Sequence, residues 1–393
     1  SLANRFDLII KSAYEQTGQQ VAILIDEYDS PLQHSWRTPE HQGCTDVYRS
    51  VFAILKADDK YEKFVFITGI TKFTQISLFS VLNNLSNISF LPEYAAICGI
   101  TEEEIDNNFK PELEKMAEVN GWTLRHTHDN LKDFYDGYHF SPRNMVDIYN
   151  PFSLINALDT QNLNSYWASS GATSMLPTFV KDVELRLQDF EDCMILRNTL
   201  ETSDVTGGGS ELFLYLTIKS CQGNIYHLGF PNEEVKQALY ECVLPALTLR
   251  QEADTQSLQA QVYQYLEFKE LGKAMKAIKA LVADVPYSNK KLASMNMEER
   301  YRLIISTILN SVGLRVEVER MISTGRIDLV VTTSHYIYVI ELKLRNNGGK
   351  AAAIQQIIDC KYMEPFMADK REVVGLGIEL DETGKGLLDW ALC

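Results

Sequence analysis

Gly325-Arg326-Ile327-Asp328-Leu329-Val330-Val331 and then Tyr336-Ile337-Tyr338-Val339-Ile340-Glu341-Leu342-Lys343 form two apolar runs near the C-terminus. Both runs are rich in β-branched and aromatic residues, which favours two β-strands joined by a tight turn. Because side chains alternate faces along a strand, Glu341 and Lys343 project from the same face. One pairing register brings Asp328 beside them. The stretch therefore predicts a hairpin whose charged groups meet in one place.

Charged side chains inside apolar strands are costly to bury unless they are paired or bind a metal ion. The carboxylates Asp328 and Glu341 suit Mg²⁺ or Mn²⁺, which take hard oxygen ligands and keep several waters. The Lys343 ammonium suits the orientation of an attacking water or the stabilisation of charge on a phosphate. The pattern therefore predicts a divalent-metal nuclease site. The alternative is a simple Lys–Glu ion pair at an exposed strand end.

The residues around this hairpin resemble the PD-(D/E)XK nuclease superfamily, in the form found at the C-terminus of bacterial AAA-ATPase-like proteins. A helix with Glu299 and Tyr301 precedes the strands, and Ala353-Ile354-Gln355-Gln356-Ile357 resembles the helix that follows them. Val373-Val374-Gly375-Leu376-Gly377-Ile378 is similar to the closing strand. The resemblance implies a restriction-endonuclease-like α/β domain with the order α-β-β-β-α-β and a first strand at residues 314–318.

The resemblance also implies roles for five residues: Asp328 and Glu341 as metal ligands, Lys343 as the catalytic lysine, and Gln356 and Glu299 as supporting residues. Two of these assignments have alternatives. Gln356 could be an ordinary polar residue on a helix. Glu298, the neighbour of Glu299, could take the supporting role, or neither could.

A second acidic pattern lies near the N-terminus. The apolar run Val21-Ala22-Ile23-Leu24-Ile25 ends in Asp26 and Glu27, and Phe64-Val65-Phe66-Ile67 ends in Thr68. An apolar strand followed by Asp-Glu is the Walker B pattern, in which the first carboxylate holds Mg²⁺ and the second polarises the hydrolytic water. Thr68 would then sense the γ-phosphate. The alternative is two ordinary polar strand ends.

The surrounding motifs resemble the AAA-ATPase-like family up to about residue 171; they include Thr68-Gly69-Ile70-Thr71-Lys72-Phe73, Tyr135-Asp136-Gly137-Tyr138-His139-Phe140 and Tyr149-Asn150-Pro151-Phe152-Ser153-Leu154. The family's phosphate-binding loop, G-x-x-x-x-G-K-[ST], occurs nowhere in the sequence. Gly384-Lys385-Gly386 is the nearest approach and lacks the upstream glycine. We therefore expect an N-terminally truncated fragment, with ATP bound only by the intact protein.

The length of 393 residues exceeds what one core usually accommodates, so the chain is expected to divide. We expect a remnant of an α/β P-loop-type ATPase domain at residues 1–100. A mostly helical lid or linker region follows at residues 101–285, and the nuclease-like α/β domain occupies residues 286–393. The fold class is thus α/β with a helical middle region.

The formal net charge of −16 is unusual for a protein that binds nucleic acid. From Lys290 to Cys393, however, 14 basic residues balance 14 acidic ones, so the nuclease region has no net charge. Lys290, Lys291, Arg345 and Lys350 could form a rim that faces phosphates, or could belong to an ordinary solvated surface. No base-reading motif is present, so specificity is expected to come from nucleic-acid shape or from partners.

Cysteines and hydropathy give the remaining constraints. Seven scattered cysteines without a C-x-x-C pair indicate reduced thiols in a cytoplasmic protein and argue against a zinc site. The sequence has no apolar span long enough for a membrane helix, so no membrane association is expected. Isolated histidines such as His128 are expected to be surface or structural residues. A homo-oligomer is compatible with the sequence.

Two functions follow from these observations. The leading hypothesis is a metal-dependent nuclease that cuts phosphodiester bonds, with DNA as the expected substrate, coupled to an ATPase module in the intact protein. The competing hypothesis is a nucleotide-dependent switch or scaffold whose nuclease-like domain only binds nucleic acid or a partner protein. The presence of Asp328, Glu341 and Lys343 together favours the first.

Overall fold

The structure is a computed structural model that describes residues 1–35, 38–69, 85–167, 193–197, 215–247, 252–285 and 295–393. The chain is mixed α/β and separates into two compact units. The first contains residues 1–98, 139–146 and 192–229, and the second contains residues 99–138, 147–191 and 230–393. The three-region division at residues 100 and 285 stays a prediction. Among the described helices, none has the length and apolar content that crossing a bilayer requires.

The first unit carries the predicted Walker B strand. Its described elements are α1 (Leu2–Thr17), β1 (Val21–Ile25), α2 (Ser30–Ser35), α3 (His41–Ala57), β2 (Glu62–Ile67), β3 (Cys193–Leu196), β4 (Thr217–Gln222) and β5 (Ile225–Gly229). Strands β1 and β2 pair in parallel, with α2 and α3 in the connection between them. Parallel neighbours need such a crossover, which brings both carboxyl ends to one edge. Strands β3, β5 and β4 form a separate antiparallel sheet.

The parallel pair is held by apolar side chains from the elements around it. Ile23 of β1 packs with Ile10 of α1 and with Phe52 and Leu55 of α3. Helix α1 begins after Ser1, whose hydroxyl accepts the Asn4 N–H, and ends at Gly18 with a left-handed φ of 66°. This packing fixes the position of the end of β1, where the acidic pair follows.

The second unit contains the nuclease-like sheet. Its described helices are α4 (Glu102–Asn108), α5 (Lys110–Asn120), α6 (Leu124–Tyr135), α7 (Pro151–Thr160), α8 (Glu233–Leu247), α9 (Glu252–Glu267), α10 (Leu271–Ala283), α11 (Met297–Ser311) and α12 (Gly349–Asp359). Its strands are β6 (Arg315–Ile322), β7 (Gly325–Thr332), β8 (Tyr336–Leu344), β9 (Glu372–Leu380) and β10 (Leu387–Leu392). Helix α11 precedes the strands, and α12 lies between β8 and β9.

The strand order in this sheet is β10-β9-β8-β7-β6, so β8 is the central strand. Strands β6, β7 and β8 are successively antiparallel, and β9 returns parallel to β8 through α12. The order from α11 to β9 is the predicted α-β-β-β-α-β. The predicted α/β fold class, with a restriction-endonuclease-like domain at the C-terminus, is confirmed. The predicted first strand begins at Arg315 and extends to Ile322.

Helix α12 approaches the sheet closely because glycine faces it. Gly377 of β9 stands opposite Glu341 of β8 in the parallel register. A Cβ at Gly377 would lie 2.9 Å from the Lys350 carbonyl oxygen and 3.0 Å from Ala353 Cβ. Ile357 packs in the same core as Val339. Burial of such side chains stabilises the fold by roughly 1.5–3 kcal/mol each and seats α12 beside the end of β8.

Glu62 is an unusual buried acid at the start of β2. Its Oε1 atom accepts no hydrogen bond from the part of the chain that the structure describes. Burial, together with the charges of Asp59 and Asp58, raises the pKa of Glu62 to about 7. The Glu62 carboxyl group therefore binds its proton more tightly in the folded chain than in the unfolded chain.

Glu62→Gln is expected to stabilise the protein at alkaline pH and to have little effect at acidic pH. Because the folded pKa lies above the ordinary value, Glu62 lowers stability progressively as the pH rises from about 4.5 to about 7. Thermal denaturation should show a higher Tm for the variant at pH 8, corresponding to a gain on the order of 1 kcal/mol. Glu15→Gln, at an exposed site, is the control. An equal gain at pH 5 and pH 8 would contradict the assignment.

Candidate active site

Asp328, Glu341 and Lys343 meet where the pairing between strands β7 and β8 ends. The antiparallel register pairs Leu329 with Ile340, which places Asp328 opposite Glu341. Beyond the Leu329–Ile340 pair, a side-chain contact replaces the backbone hydrogen bonds between the strands: Asp328 Oδ2 accepts the Leu342 N–H at 2.9 Å. The structure thus brings together the three residues on which the sequence hypothesis depends. Their catalytic and metal-binding roles stay predictions.

Glu341 is the most deeply buried group of the three, with 2% of the residue exposed. Lys343 Nζ donates to Glu341 Oε1 at 2.9 Å, while Oε2 has no hydrogen-bond donor among the described residues. Burial and the charge of Asp328 raise the pKa of Glu341 to about 7, and Lys343 opposes that rise. An orphaned carboxylate oxygen beside a second carboxylate is a donor set that suits a hard divalent cation.

Lys343 is held as a cation. Burial lowers its pKa, but the neighbouring carboxylates raise it by more, so its pKa lies above the ordinary value. These carboxylates are Glu341, Asp328 and Glu298. An ammonium that keeps its proton at neutral pH can stabilise negative charge on a phosphate, and it is poorly suited to accept a proton.

Arg302 on α11 is a member of this cluster that the sequence analysis missed. Its Nη1 lies 2.9 Å from Asp328 Oδ1 and its Nη2 lies 2.6 Å from Glu319 Oε1. Its side chain is only 8% exposed. The sequence does contain a signal for Arg302, because it directly precedes the apolar run Leu303-Ile304-Ile305. An arginine buried with such a run needs anionic partners. Glu319 is likewise an addition to the predicted set.

Gln356 of α12 reaches the site through Tyr362. Gln356 Nε2 donates to the Tyr362 hydroxyl at 3.0 Å, and Tyr362 is 2% exposed. Burial raises the pKa of Tyr362, and the charge of Glu341 adds to the rise. The supporting role of Gln356 stays a prediction, and its described contact is with the phenol.

Glu299 and Glu298 occupy different environments at the start of α11. Glu299 forms a capping box: its carboxylate accepts the Asn296 N–H at 3.3 Å, and Asn296 Oδ1 accepts the Glu299 N–H at 2.9 Å. Glu298 Oε1 instead accepts the Leu344 N–H at 3.2 Å and the Asn347 side-chain amide at 3.0 Å. Glu298 therefore reaches the end of β8, whereas Glu299 caps its own helix.

The predicted nucleotide-binding residues lie together in the first unit. The Thr68 hydroxyl donates to Asp26 Oδ1, and the Glu27 N–H donates to the same oxygen at 3.0 Å. The proximity follows from the parallel pairing of β1 and β2, which places both strand ends at one edge. Glu27 is exposed and has a left-handed φ of 48°. The nucleotide-binding roles of these residues stay predictions.

A second possible metal-binding cluster, also missed from the sequence, consists of Glu102, Asp106 and His128. One ligand atom of each lies within 4.8 Å of the others. His128 Nδ1 lies 2.7 Å from Glu102 Oε1, and its Nε2 lies 3.4 Å from Asp106 Oδ1. The Tyr149 hydroxyl donates to the other oxygen of Glu102. This cluster is on helices α4 and α6 and contains no residue of the β7–β8 site.

Two of the four predicted rim cations are neutralised by acidic neighbours. Arg345 Nε lies 2.8 Å from Glu379 Oε1, and the Lys350 ammonium pairs with Asp389. Lys290 and Lys291 lie outside the described residues. The field that Arg345 and Lys350 present to a phosphate is correspondingly weaker than their charges alone suggest.

Comparison with known proteins supports both parts of the sequence analysis. Residues 1–79 match a family model described as a predicted AAA-ATPase, and residues 296–390 match the PD-(D/E)XK nuclease superfamily. The chain is similar to an uncharacterised protein in the vnfD 5' region of Azotobacter chroococcum mcd 1, with 28% identity over 410 aligned positions. The alignment covers 99% of this chain and 74% of that relative. No solved structure matches. The chain thus combines an N-terminal AAA-ATPase-like segment with a C-terminal segment similar to PD-(D/E)XK nucleases.

Proposed function

We propose that this protein is a divalent-metal-dependent nuclease that hydrolyses phosphodiester bonds, with DNA as its expected substrate. In the intact protein the activity would be coupled to the AAA-like ATPase module. The observation that carries the proposal is the buried Glu341 carboxylate, with one oxygen unsatisfied, between Asp328 and Lys343. The similarity of residues 296–390 to PD-(D/E)XK nucleases, which generally use divalent metal ions, supports it.

Asp328 and Glu341 would hold Mg²⁺ or Mn²⁺. Such an ion, when bound, acts as a Lewis acid toward a phosphoryl oxygen and lowers the pKa of its water. Lys343, which the carboxylates keep protonated, would stabilise the charge that develops on the phosphate. The Leu342 N–H holds Asp328 in place, and Glu298 ties the end of β8 to α11. Each described group thus positions a ligand or carries charge.

Asp26, Glu27 and Thr68 would handle Mg²⁺ and ATP in the intact protein, in agreement with the AAA-ATPase-like match of residues 1–79. The sequence contains no phosphate-binding loop, so we propose no tight nucleotide binding by these residues alone. None of the seven cysteines, all within the described ranges, forms a disulfide. A cytoplasmic location is consistent with that state.

The second candidate is a switch or scaffold whose nuclease-like domain binds nucleic acid or a partner protein without cutting. The neutralised cations Arg345 and Lys350 favour the form of this candidate that binds a partner protein, because affinity for a phosphate backbone depends on unpaired positive charge. The two candidates differ in one outcome, which is metal-dependent cleavage that requires Lys343.

Cleavage of linear duplex, single-stranded and branched DNA, and of RNA, with Mg²⁺ or Mn²⁺ is the deciding assay. We expect Glu341→Ala and Lys343→Ala each to lower the rate by roughly 100-fold or more, because they remove a ligand and the stabilising cation. Glu317→Gln, on β6 and paired with Arg320, is the control and should cleave like the wild type. Circular dichroism should confirm that each variant is folded.

Equal cleavage by the wild type and Glu341→Ala would contradict the nuclease proposal at this site. Nucleic-acid binding without cleavage under any metal condition, in this chain and in the intact protein with ATP, would favour the scaffold. Substrate preference in the same panel would distinguish DNA from RNA.

Glu298→Gln and Glu299→Gln should separate catalytic support from helix capping. We expect Glu298→Gln to lower cleavage by about tenfold, because it removes a charge that faces Lys343 and reaches β8. Glu299→Gln should retain cleavage and at most lower stability on the order of 1 kcal/mol, because it weakens only the capping box. Rates and Tm values for both variants are the measurements. The reverse order of activities would assign the supporting role to Glu299.

A further inference from the structure

Arg302 joins two strands of the nuclease-like sheet to α11 through one guanidinium group. Its Nη1 contacts Asp328 of β7, and its Nη2 contacts Glu319 of β6, at 2.9 and 2.6 Å. With its side chain 8% exposed, its charge depends on these two carboxylates. Its Nε is buried and donates to no described residue. The contacts are thus directed at the carboxylate cluster.

Both oxygens of Asp328 are oriented by the protein. Oδ1 accepts from Arg302, and Oδ2 accepts from the Leu342 N–H at 2.9 Å. A carboxylate offers about four lone-pair sites, so a metal ligand can accept both bonds and still bind an ion. Contacts of this kind fix the orientation of a ligand, and their loss typically weakens metal affinity by about 10–100-fold.

Glu319 completes a row of three carboxylates on neighbouring strands. The pairs Val318–Leu329 and Arg320–Ile327 place Glu319 opposite Asp328, and Asp328 is in turn opposite Glu341. Glu319 has a left-handed φ of 53°, which is uncommon for a residue with a side chain inside a strand. Three carboxylates in a row could serve two cations, as in sites that use a pair of metal ions.

The space between Glu319 and Asp328 already contains a cation. The guanidinium of Arg302 is within hydrogen-bond distance of an oxygen of each. Arg326 adds a second contact to Glu319 at 3.2 Å. The orphaned oxygen of the cluster is on Glu341, at the opposite end of the row. The arrangement therefore leaves one cation position, between Asp328 and Glu341.

The charges of the cluster agree with a single ion. The acidic members are Glu298, Glu319, Asp328 and Glu341, and the basic members are Arg302, Arg326 and Lys343. With all four carboxylates ionised, as metal binding requires, four negative and three positive charges leave a net charge of −1. One divalent ion changes this to +1, whereas two would change it to +3 around Arg302 and Glu341, which are both buried. A second ion would therefore meet repulsion that no described carboxylate balances.

We propose that Arg302 is a positioning residue that occupies the second cation position and restricts this site to one divalent ion between Asp328 and Glu341. The inference rests on the proposed function, because it specifies the metal stoichiometry of the same site. Lys343 then supplies, as a fixed ammonium, the positive charge that a second ion would otherwise bring to the phosphate.

Mn²⁺ titration by calorimetry, with electron paramagnetic resonance to count bound ions, tests the proposal. Mn²⁺ ions that Glu341→Ala still binds occupy other sites, such as the Glu102 cluster. Their number is subtracted from the number that each other variant binds. The wild type is expected to bind one ion at the site. Arg302→Gln is expected to bind two, the first about tenfold or more weakly, and Arg302→Gln with Glu319→Gln is expected to return to one. Arg320→Gln, which removes an arginine of β6 that is paired with Glu317 and not with the cluster, should behave as the wild type.

Two ions in the wild type, or one ion of unchanged affinity in Arg302→Gln, would overturn the proposal. If Arg302→Gln fails to fold, Arg302→Lys is the deciding variant, because lysine keeps the charge but cannot bridge both carboxylates. We expect Arg302→Lys to bind one ion with lower affinity than the wild type. An unchanged affinity would overturn the claim. If the wild type binds no more Mn²⁺ than Glu341→Ala does, both this claim and the proposed metal site are wrong. Mn²⁺ binding without cleavage of nucleic acid overturns the nuclease alone.

Discussion

A buried carboxylate on the central strand is the constraint on which the site depends. Glu341 is 2% exposed in a five-stranded sheet, where an isolated charge would cost several kcal/mol. The neighbouring groups do not remove that cost completely, because Asp328 raises the pKa of Glu341 while Lys343 lowers it. A buried carboxylate whose charge is only partly balanced can take up a further positive charge, either a proton or a metal ion. The protein thus keeps uncompensated negative charge at the position where a cation would bind.

The sheet topology determines which helices can respond to this deficit. Because β8 is central, it has β7 on one side and β9 on the other, and each neighbour brings a helix to the cluster. Gly377, opposite Glu341, admits α12 and with it the Gln356–Tyr362 pair. On the side of β7, Arg302 of helix α11 reaches the cluster by its contact with Asp328. The supporting groups are therefore consequences of close packing as much as of local sequence.

Local patterns predicted the strand part of the site, and tertiary contacts determined the rest. Alternation along β8 places Glu341 and Lys343 together without knowledge of the fold. The Arg302–Glu319 contact depends on how α11 crosses the sheet and on a φ of 53° that breaks the strand pattern, so neither could be read from periodicity. Glu298 and Glu299 are adjacent on a helix, and only the tertiary contact between Glu298 and the Leu344 N–H shows which one faces β8.

The charge distribution constrains how a nucleic acid could be held. Counterion release by many lysine and arginine contacts normally supplies most of the affinity for a phosphate backbone. Here residues 290–393 carry no excess of positive charge, and Arg345 and Lys350 are paired with acids. Affinity for a phosphate would then be concentrated at the metal position and Lys343. In the proposed nuclease, binding and chemistry would therefore share the same few groups.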